Sequence, residues 1–115
     1  MEETQLLKGI LEGCVLSVIA RGETYGYALL AELEGCGFEG LVEGTLYPLL
    51  TRLDRRGYVA RRQVKSPRGP ARNYYSITEE GRRALSEFLV NYRQVTAAAD
   101  RVLFPQSEAE RRQCV

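Results

Sequence analysis

Between Thr51 and Tyr75 the chain carries eight basic residues, Arg52, Arg55, Arg56, Arg61, Arg62, Lys65, Arg68 and Arg72, against one acid, Asp54. A guanidinium forks onto phosphate oxygens or onto the edge of guanine, and a lysine is a point charge for phosphate. Tyr47 and Thr51 add hydroxyls that can donate to phosphate oxygens. The rest of the chain is charged differently. Residues 1–50 sum to −6, residues 51–75 to +7 and residues 76–115 to zero, for +1 overall. A nearly neutral chain with one dense basic stretch is suited to meeting a polyanion locally. Arginines are also common on solvated faces, so the element that carries them has to decide.

Other chemistries are thinly supplied. There is no histidine, which removes serine–histidine and cysteine–histidine hydrolysis. Cys14, Cys36 and Cys114 form no CxxC pair, and a zinc site needs about four clustered ligands. No metal and no cofactor is expected. Cys14 and Cys36 read as small core residues, with a redox-sensing thiol as the alternative. Carboxylates, tyrosines and cysteines form no tight constellation, so an enzyme is the remote class.

The chain has 115 residues and a mass of 13.0 kDa, the size of one domain. Hydrophobic residues at 44% and charged residues at 27% exclude a disordered chain. No apolar run approaches the ~20 residues of a membrane span. The apolar-rich stretch Ile10–Ala20 is interrupted by Glu12, Gly13 and Ser17. The Met-Glu-Glu-Thr start lacks the basic region of a secretory signal, so a cytoplasmic location is expected.

Periodicity supplies the elements. Leu7, Ile10, Leu11, Cys14, Val15, Val18 and Ile19 form one face of a helix over about 5–20, stopped by Arg21-Gly22. Thr24 is placed to cap a second helix over about 25–34, with Leu29, Leu30 and Leu33 as its stripe. Gly35, Gly37 and Gly40 make 35–42 a loop or short extended piece. Leu46, Leu49, Leu50 and Leu53 give a third helix, starting near Glu43 or Thr45 and ending at Arg56 before Gly57. Pro48 is expected near its first turn, where a missing N–H costs little. Residues 58–64 and 73–77 read as strands, and Lys65–Arg72, with two prolines and a glycine, as the turn of a basic-tipped hairpin. Thr78 caps a long fourth helix that Pro105 ends.

Three helices, a basic hairpin and a fourth helix is winged helix-turn-helix order. The fold class expected is mainly α with a small β-hairpin. Residues 1–77 form the DNA-binding domain, residues 78–105 a C-terminal dimerisation helix and residues 106–115 a frayed tail. Opposite the leucines of the third helix lie Gly44, Tyr47, Pro48, Thr51, Arg52 and Arg55, a face suited to a major groove. Lys65, Arg68 and Arg72 on the hairpin tip would reach the neighbouring minor groove or its phosphates. One of Tyr74 and Tyr75 belongs to the core, and their alternation does not say which.

The strings Tyr25-Gly26-Tyr27, Glu43-Gly-Thr-Leu-Tyr-Pro48, Leu53-Asp-Arg-Arg-Gly57 and Tyr74-Tyr-Ser-Ile-Thr-Glu-Glu-Gly81 resemble the PadR family of bacterial transcriptional regulators. The resemblance covers about residues 6–90 and is most specific at Gly-Thr-Leu-Tyr-Pro. The single C-terminal helix resembles the short subgroup. The resemblance implies a dimeric winged-helix DNA binder, usually a repressor, released by a small effector or another signal. It implies that Thr45, Tyr47 and the arginines after them, Arg56 included, contact DNA.

Leu85, Phe88, Tyr92, Val95, Ala99 and Val102 recur at alternating steps of three and four, an a/d seam along the fourth helix. One small domain has too little core to cover it, so a second copy of the chain is the expected partner, with the first helix a further candidate contributor. Phe88 and Tyr92 could line an effector pocket there, although aromatics at this spacing are more often core. Two functional classes stand at this point: a regulator on a two-fold symmetric operator in double-stranded DNA, or a winged-helix module whose basic face meets an acidic protein.

Overall fold

The computed structural model describes residues 5–106. Cys114 and all of the expected tail beyond Gln106 lie outside the described residues. The elements run α1 (Gln5–Arg21), β1 (Thr24–Tyr25), α2 (Gly26–Gly35), α3 (Glu43–Arg55), β2 (Val59–Ser66), β3 (Gly69–Ile77) and α4 (Glu79–Leu103). The fold is a mainly helical winged helix-turn-helix with a three-stranded antiparallel sheet in the order β1-β3-β2. The chain forms two compact units that divide inside α4, after Leu85.

The core of the first unit takes in most of the residues that periodicity selects, while Leu7, Ile10, Cys14 and Leu30 are only half-buried and Leu41 joins from the loop before α3. Leu46, Leu49, Leu50 and Leu53 of α3 are buried against Leu29 and Leu33 of α2 and Leu11, Val15, Val18 and Ile19 of α1. The second half of α1 is buried more widely than one stripe, since Gly13 and Leu16 are buried too. The helix packs on both α2 and β3, which covers two of its sides. Val59 and Tyr75 close the core from the sheet.

Thr24 does not cap α2. It pairs with Tyr75 while Tyr25 pairs with Tyr74, making a third strand where a hairpin alone was expected. A β-branched and an aromatic residue beside a strand edge gain more from ladder bonds than from a cap. Tyr25 is left as the N-cap with extended backbone and no side-chain cap bond. Tyr75 is the core tyrosine, at 5% exposure, and Tyr74 lies on the other face.

The hairpin is tighter than the proline and glycine content suggests. Pairing continues to Ser66 and Gly69, so only Pro67 and Arg68 form the turn, and the Arg68 N–H donates to Ser66 Oγ at 3.4 Å. Lys65 and Arg72 therefore sit in strands instead of at the tip. The register slips between Val64 and Ser66, close to Pro70, which has no N–H to give the ladder. Pro48 is likewise deeper than expected. Helical bonding starts at Val42, whose carbonyl accepts from Leu46, so Pro48 is the sixth helical residue and removes one bond to Gly44.

Helix ends are fixed by glycine. Gly57, at φ 78°, donates to the Asp54 carbonyl and Tyr58 to that of Leu53, the paired bonds of a Schellman stop. Gly37, at φ 120°, ends α2 in the same way, with Phe38 donating to Leu33. Thr78 joins two elements. Its hydroxyl donates to the Gly57 carbonyl at 2.6 Å, and its oxygen accepts from the Gly81 N–H at 3.0 Å. The expected cap of α4 thus also ties α4 to the end of α3.

In the second unit α4 runs on to Leu103, just before Pro105. Phe88 and Tyr92 stack at 5.8 Å between ring centres. Tyr92, Val95 and Val102 are exposed, as are Leu89, Val90, Leu103 and Phe104. Leu85, the first residue of the seam, packs half-buried against the core of the first unit, so it is engaged within its own chain.

Candidate nucleic-acid interface

The site is built on α3 and the β2–β3 hairpin. Because the four leucines of α3 face the core, Gly44, Tyr47, Pro48, Thr51, Arg52 and Arg55 face outward and are exposed. Thr45 is half-buried at the start of the helix. The Tyr47 ring rests on Gly26 at the start of α2. Thr51 differs from its expected role as a donor, since its hydroxyl already donates to the Tyr47 carbonyl at 3.1 Å. Its methyl group and a lone pair remain for an incoming group.

The basic residues divide into two sets. Arg56 donates to Glu12 on α1 at 3.0 Å, and Arg52 lies 3.8 Å from the other oxygen of the same carboxylate. Arg61 pairs with Asp54 at 3.5 Å. Arg62 grips Glu23 with two bonds of 2.6 and 2.7 Å. Those bonds hold the Glu23 carboxyl below its ordinary pKa, so the ion pair persists at neutral pH and is lost only in acid. Arg55, Lys65, Arg68 and Arg72 make no ion pair among the described residues.

Arg72 is nevertheless held. Its guanidinium lies 4.2 Å from the centre of the Tyr25 ring, Tyr25 meets Tyr74 edge-on at 5.4 Å, and Arg62 lies 5.1 Å from Tyr74. Register explains this ladder, because Tyr25, Tyr74 and Arg62 are direct cross-strand partners on one face. A cleft of about 460 Å³ separates the hairpin from α2 and α3, lined by Tyr25, Tyr27, Tyr47, Arg68, Arg72 and Asn73 among others. The Asn73 Oδ1 is buried without a hydrogen-bond partner.

The structure places the expected basic residues on α3, at its end and on the hairpin, and adds countercharges that local sequence does not disclose. Glu12 and Glu23 lie 44 and 39 residues from their arginines, beyond any local pattern. Cys36 also departs from the expected core role. It is exposed at the end of α2, while Cys14 is partly buried with its thiol pKa raised by burial and then by Cys36. No group of three or more cysteine or carboxylate residues could hold a metal ion among the described residues. No helix among them is long and apolar enough to cross a membrane.

The model of the PadR-like transcriptional regulator family matches residues 15–87. The chain belongs to the PadR-like family. A Streptococcus transcriptional regulator is similar at 42% identity and a TM-score of 0.75, over 85% of this chain and 96% of that one. A PadR-like regulator of Bacillus cereus is 38% identical with a TM-score of 0.78, over 90% of this chain and all of the other. At 22% identity a Bacillus subtilis PadR, solved in complex with operator DNA, shares the fold with a TM-score of 0.64, over 70% of this chain and 47% of its own. Within this PadR-like chain, the family match spans α2 together with α3 and the hairpin, and the last two carry the basic residues.

Proposed function

We propose that this PadR-like chain is a sequence-specific DNA-binding regulator that represses transcription as a homodimer on a two-fold symmetric operator. One observation carries the reading: Tyr47, Thr51 and Arg55 on the outward face of α3 adjoin a hairpin whose Lys65 and Arg68 make no ion pair among the described residues. A helix of this kind fits the major groove, with the hairpin beside it on the backbone or in the minor groove. The operator DNA bound by the Bacillus subtilis relative supports the same assignment.

Dimerisation is supported by the exposed apolar face of α4. The 18 residues from Ser86 to Leu103 form a helix of about 27 Å with no core of its own. Most of the stability of a protein helix comes from packing of its apolar face, so an uncovered stripe along this one points to a partner. Phe88, Tyr92, Val95, Ala99 and Val102 are the residues assigned to the second copy.

The test is binding to duplex DNA from upstream of the protein's own gene, because local repressors often control their own promoters. A protected, two-fold symmetric footprint that fades with salt is the expected result. Binding to an acidic protein with no preference among duplexes would favour a protein–protein module.

A further inference from the structure

We propose that Glu12 is an internal counter-charge that restrains the end of α3 from binding DNA of arbitrary sequence. The inference rests on the DNA-binding reading above. One Glu12 oxygen accepts from Arg56 Nη1 at 3.0 Å, and the other lies 3.8 Å from Arg52 Nη2. The two arginines are four residues apart, Arg52 in the last turn of α3 and Arg56 at its C-cap, so one carboxylate from α1 addresses both. Arg55, between them in sequence, is exposed and makes no ion pair among the described residues.

Folding stability is a weak reason for this arrangement. Both guanidiniums are half exposed, and exposed ion pairs add little to stability. The effect on a polyanion is larger. A phosphate approaching Arg52 or Arg56 must displace the carboxylate or sit beside a like charge. Non-specific binding consists almost wholly of such phosphate contacts. Specific binding draws on base contacts from Tyr47 and Arg55, and these need neither Arg52 nor Arg56 to leave Glu12. Glu12 therefore weakens random DNA more than operator, which widens the gap between them.

The experiment uses the full chain and two probes: a random-sequence duplex, and the upstream duplex that the wild-type protein prefers. Glu12→Gln keeps the size of the side chain and removes its charge. Glu39→Gln makes the same change at an exposed acid that has no ion pair among the described residues. If each chain of a dimer gains one phosphate contact, Glu12→Gln steepens the log–log salt dependence on random duplex by about two units. The affinity ratio between about 50 and about 200 mM salt then grows about tenfold on random duplex, and less on the preferred one. Glu39→Gln leaves both slopes unchanged. In an Arg52→Gln/Arg56→Gln background, Glu12→Gln has no further effect. Equal behaviour of Glu12→Gln and Glu39→Gln overturns the inference, as does an effect that survives in that background. A wild-type chain that binds no duplex overturns the DNA-binding reading itself.

Discussion

The Tyr47 ring lies so close to the backbone of Gly26 that a methyl group there would stand 2.7 Å from both its Cε1 and its hydroxyl oxygen. Two sequence strings, Tyr25-Gly-Tyr27 and Gly44-Thr-Leu-Tyr-Pro48, thereby become one structural feature. The glycine sets where the tyrosine of α3 is held.

Gly26→Ala should therefore move Tyr47 instead of unfolding the domain, because the obstructing atoms are the far end of an exposed side chain. The expected outcome is a melting temperature near wild type with weaker binding to operator and random duplex alike. Tyr47→Phe, which keeps the ring and loses the hydroxyl, should cost about 1.5–3 kcal/mol if that hydroxyl donates to a phosphate. Unchanged affinity in both variants would remove Tyr47 from the interface.

Gly81 is a harsher case. A Cβ there would lie 2.0 Å from the Tyr58 carbonyl oxygen, a backbone atom that cannot swing aside. Gly81→Ala should destabilise the domain by about 3 kcal/mol or more, measured by urea unfolding. The comparison is Gly9→Ala in α1, where nothing lies within 4 Å. That change should stabilise by about 0.5–1 kcal/mol, as alanine does inside a helix. Similar losses in the two variants would contradict this account of the α3–α4 junction.

These two glycines show what the sequence could disclose. The helices were legible because their leucines repeat at helical spacing, and the stop at Gly57 because local bonds set it. The Thr78 cap was legible for the same reason. Thr24 misled because its alternative, a ladder with Tyr75, joins residues 51 apart. Pro67, Gly69 and Pro70 mark a turn somewhere between Lys65 and Arg72, and the pairing of Ser66 with Gly69 decides that it spans only Pro67 and Arg68. Which arginines are neutralised depends on Glu12 and Glu23, and only the packing of α1 and β1 brings those acids near.

The apolar face of α4 leads to a prediction about assembly. Phe88→Asp together with Val95→Asp would place two charges in the proposed interface, where they would be buried without partners. Because the core of the first unit uses neither residue, that unit should stay folded while the chain becomes monomeric. Sedimentation should report the smaller species, and hydrogen exchange should quicken from Ser86 onward but not in α1 to α3. A double variant that remains fully dimeric would place the interface elsewhere.

The cysteines should differ in reactivity. Burial pushes the Cys14 thiol above its ordinary pKa, so less of it is thiolate at about pH 8, while Cys36 is exposed. Peptide-resolved alkylation at that pH should modify Cys36 about tenfold faster than Cys14. Raising the pH through and above the ordinary thiol range should narrow the difference. Neither Cys14→Ser nor Cys36→Ser is expected to alter DNA affinity. A variant that keeps its affinity but loses a response to peroxide would reveal a redox sensor.

The basic block should separate by ion pairing as well as by element. Lys65 and Arg68 make no ion pair among the described residues, so replacing either with alanine should remove one phosphate contact per chain. In a dimer that flattens the log–log salt dependence by about two units, equally on operator and random duplex. Arg62 is bound to Glu23 by two short bonds, so Arg62→Ala should change the slope far less. Arg72 is stacked on Tyr25, and its loss should weaken binding partly by releasing that ring. Arg55 makes no ion pair among the described residues, whereas Arg52 lies against Glu12, which makes Arg55 the better candidate for reading a base. Arg55→Ala should cost about 1–3 kcal/mol per half-site on operator and relax the preference at one position, with a smaller loss on random duplex. The measurement is a salt titration of each variant on both duplexes. If Arg55→Ala and Arg68→Ala lose the same affinity on both, α3 does not read sequence through Arg55, and recognition must come from Tyr47, Thr51 or the shape of the DNA.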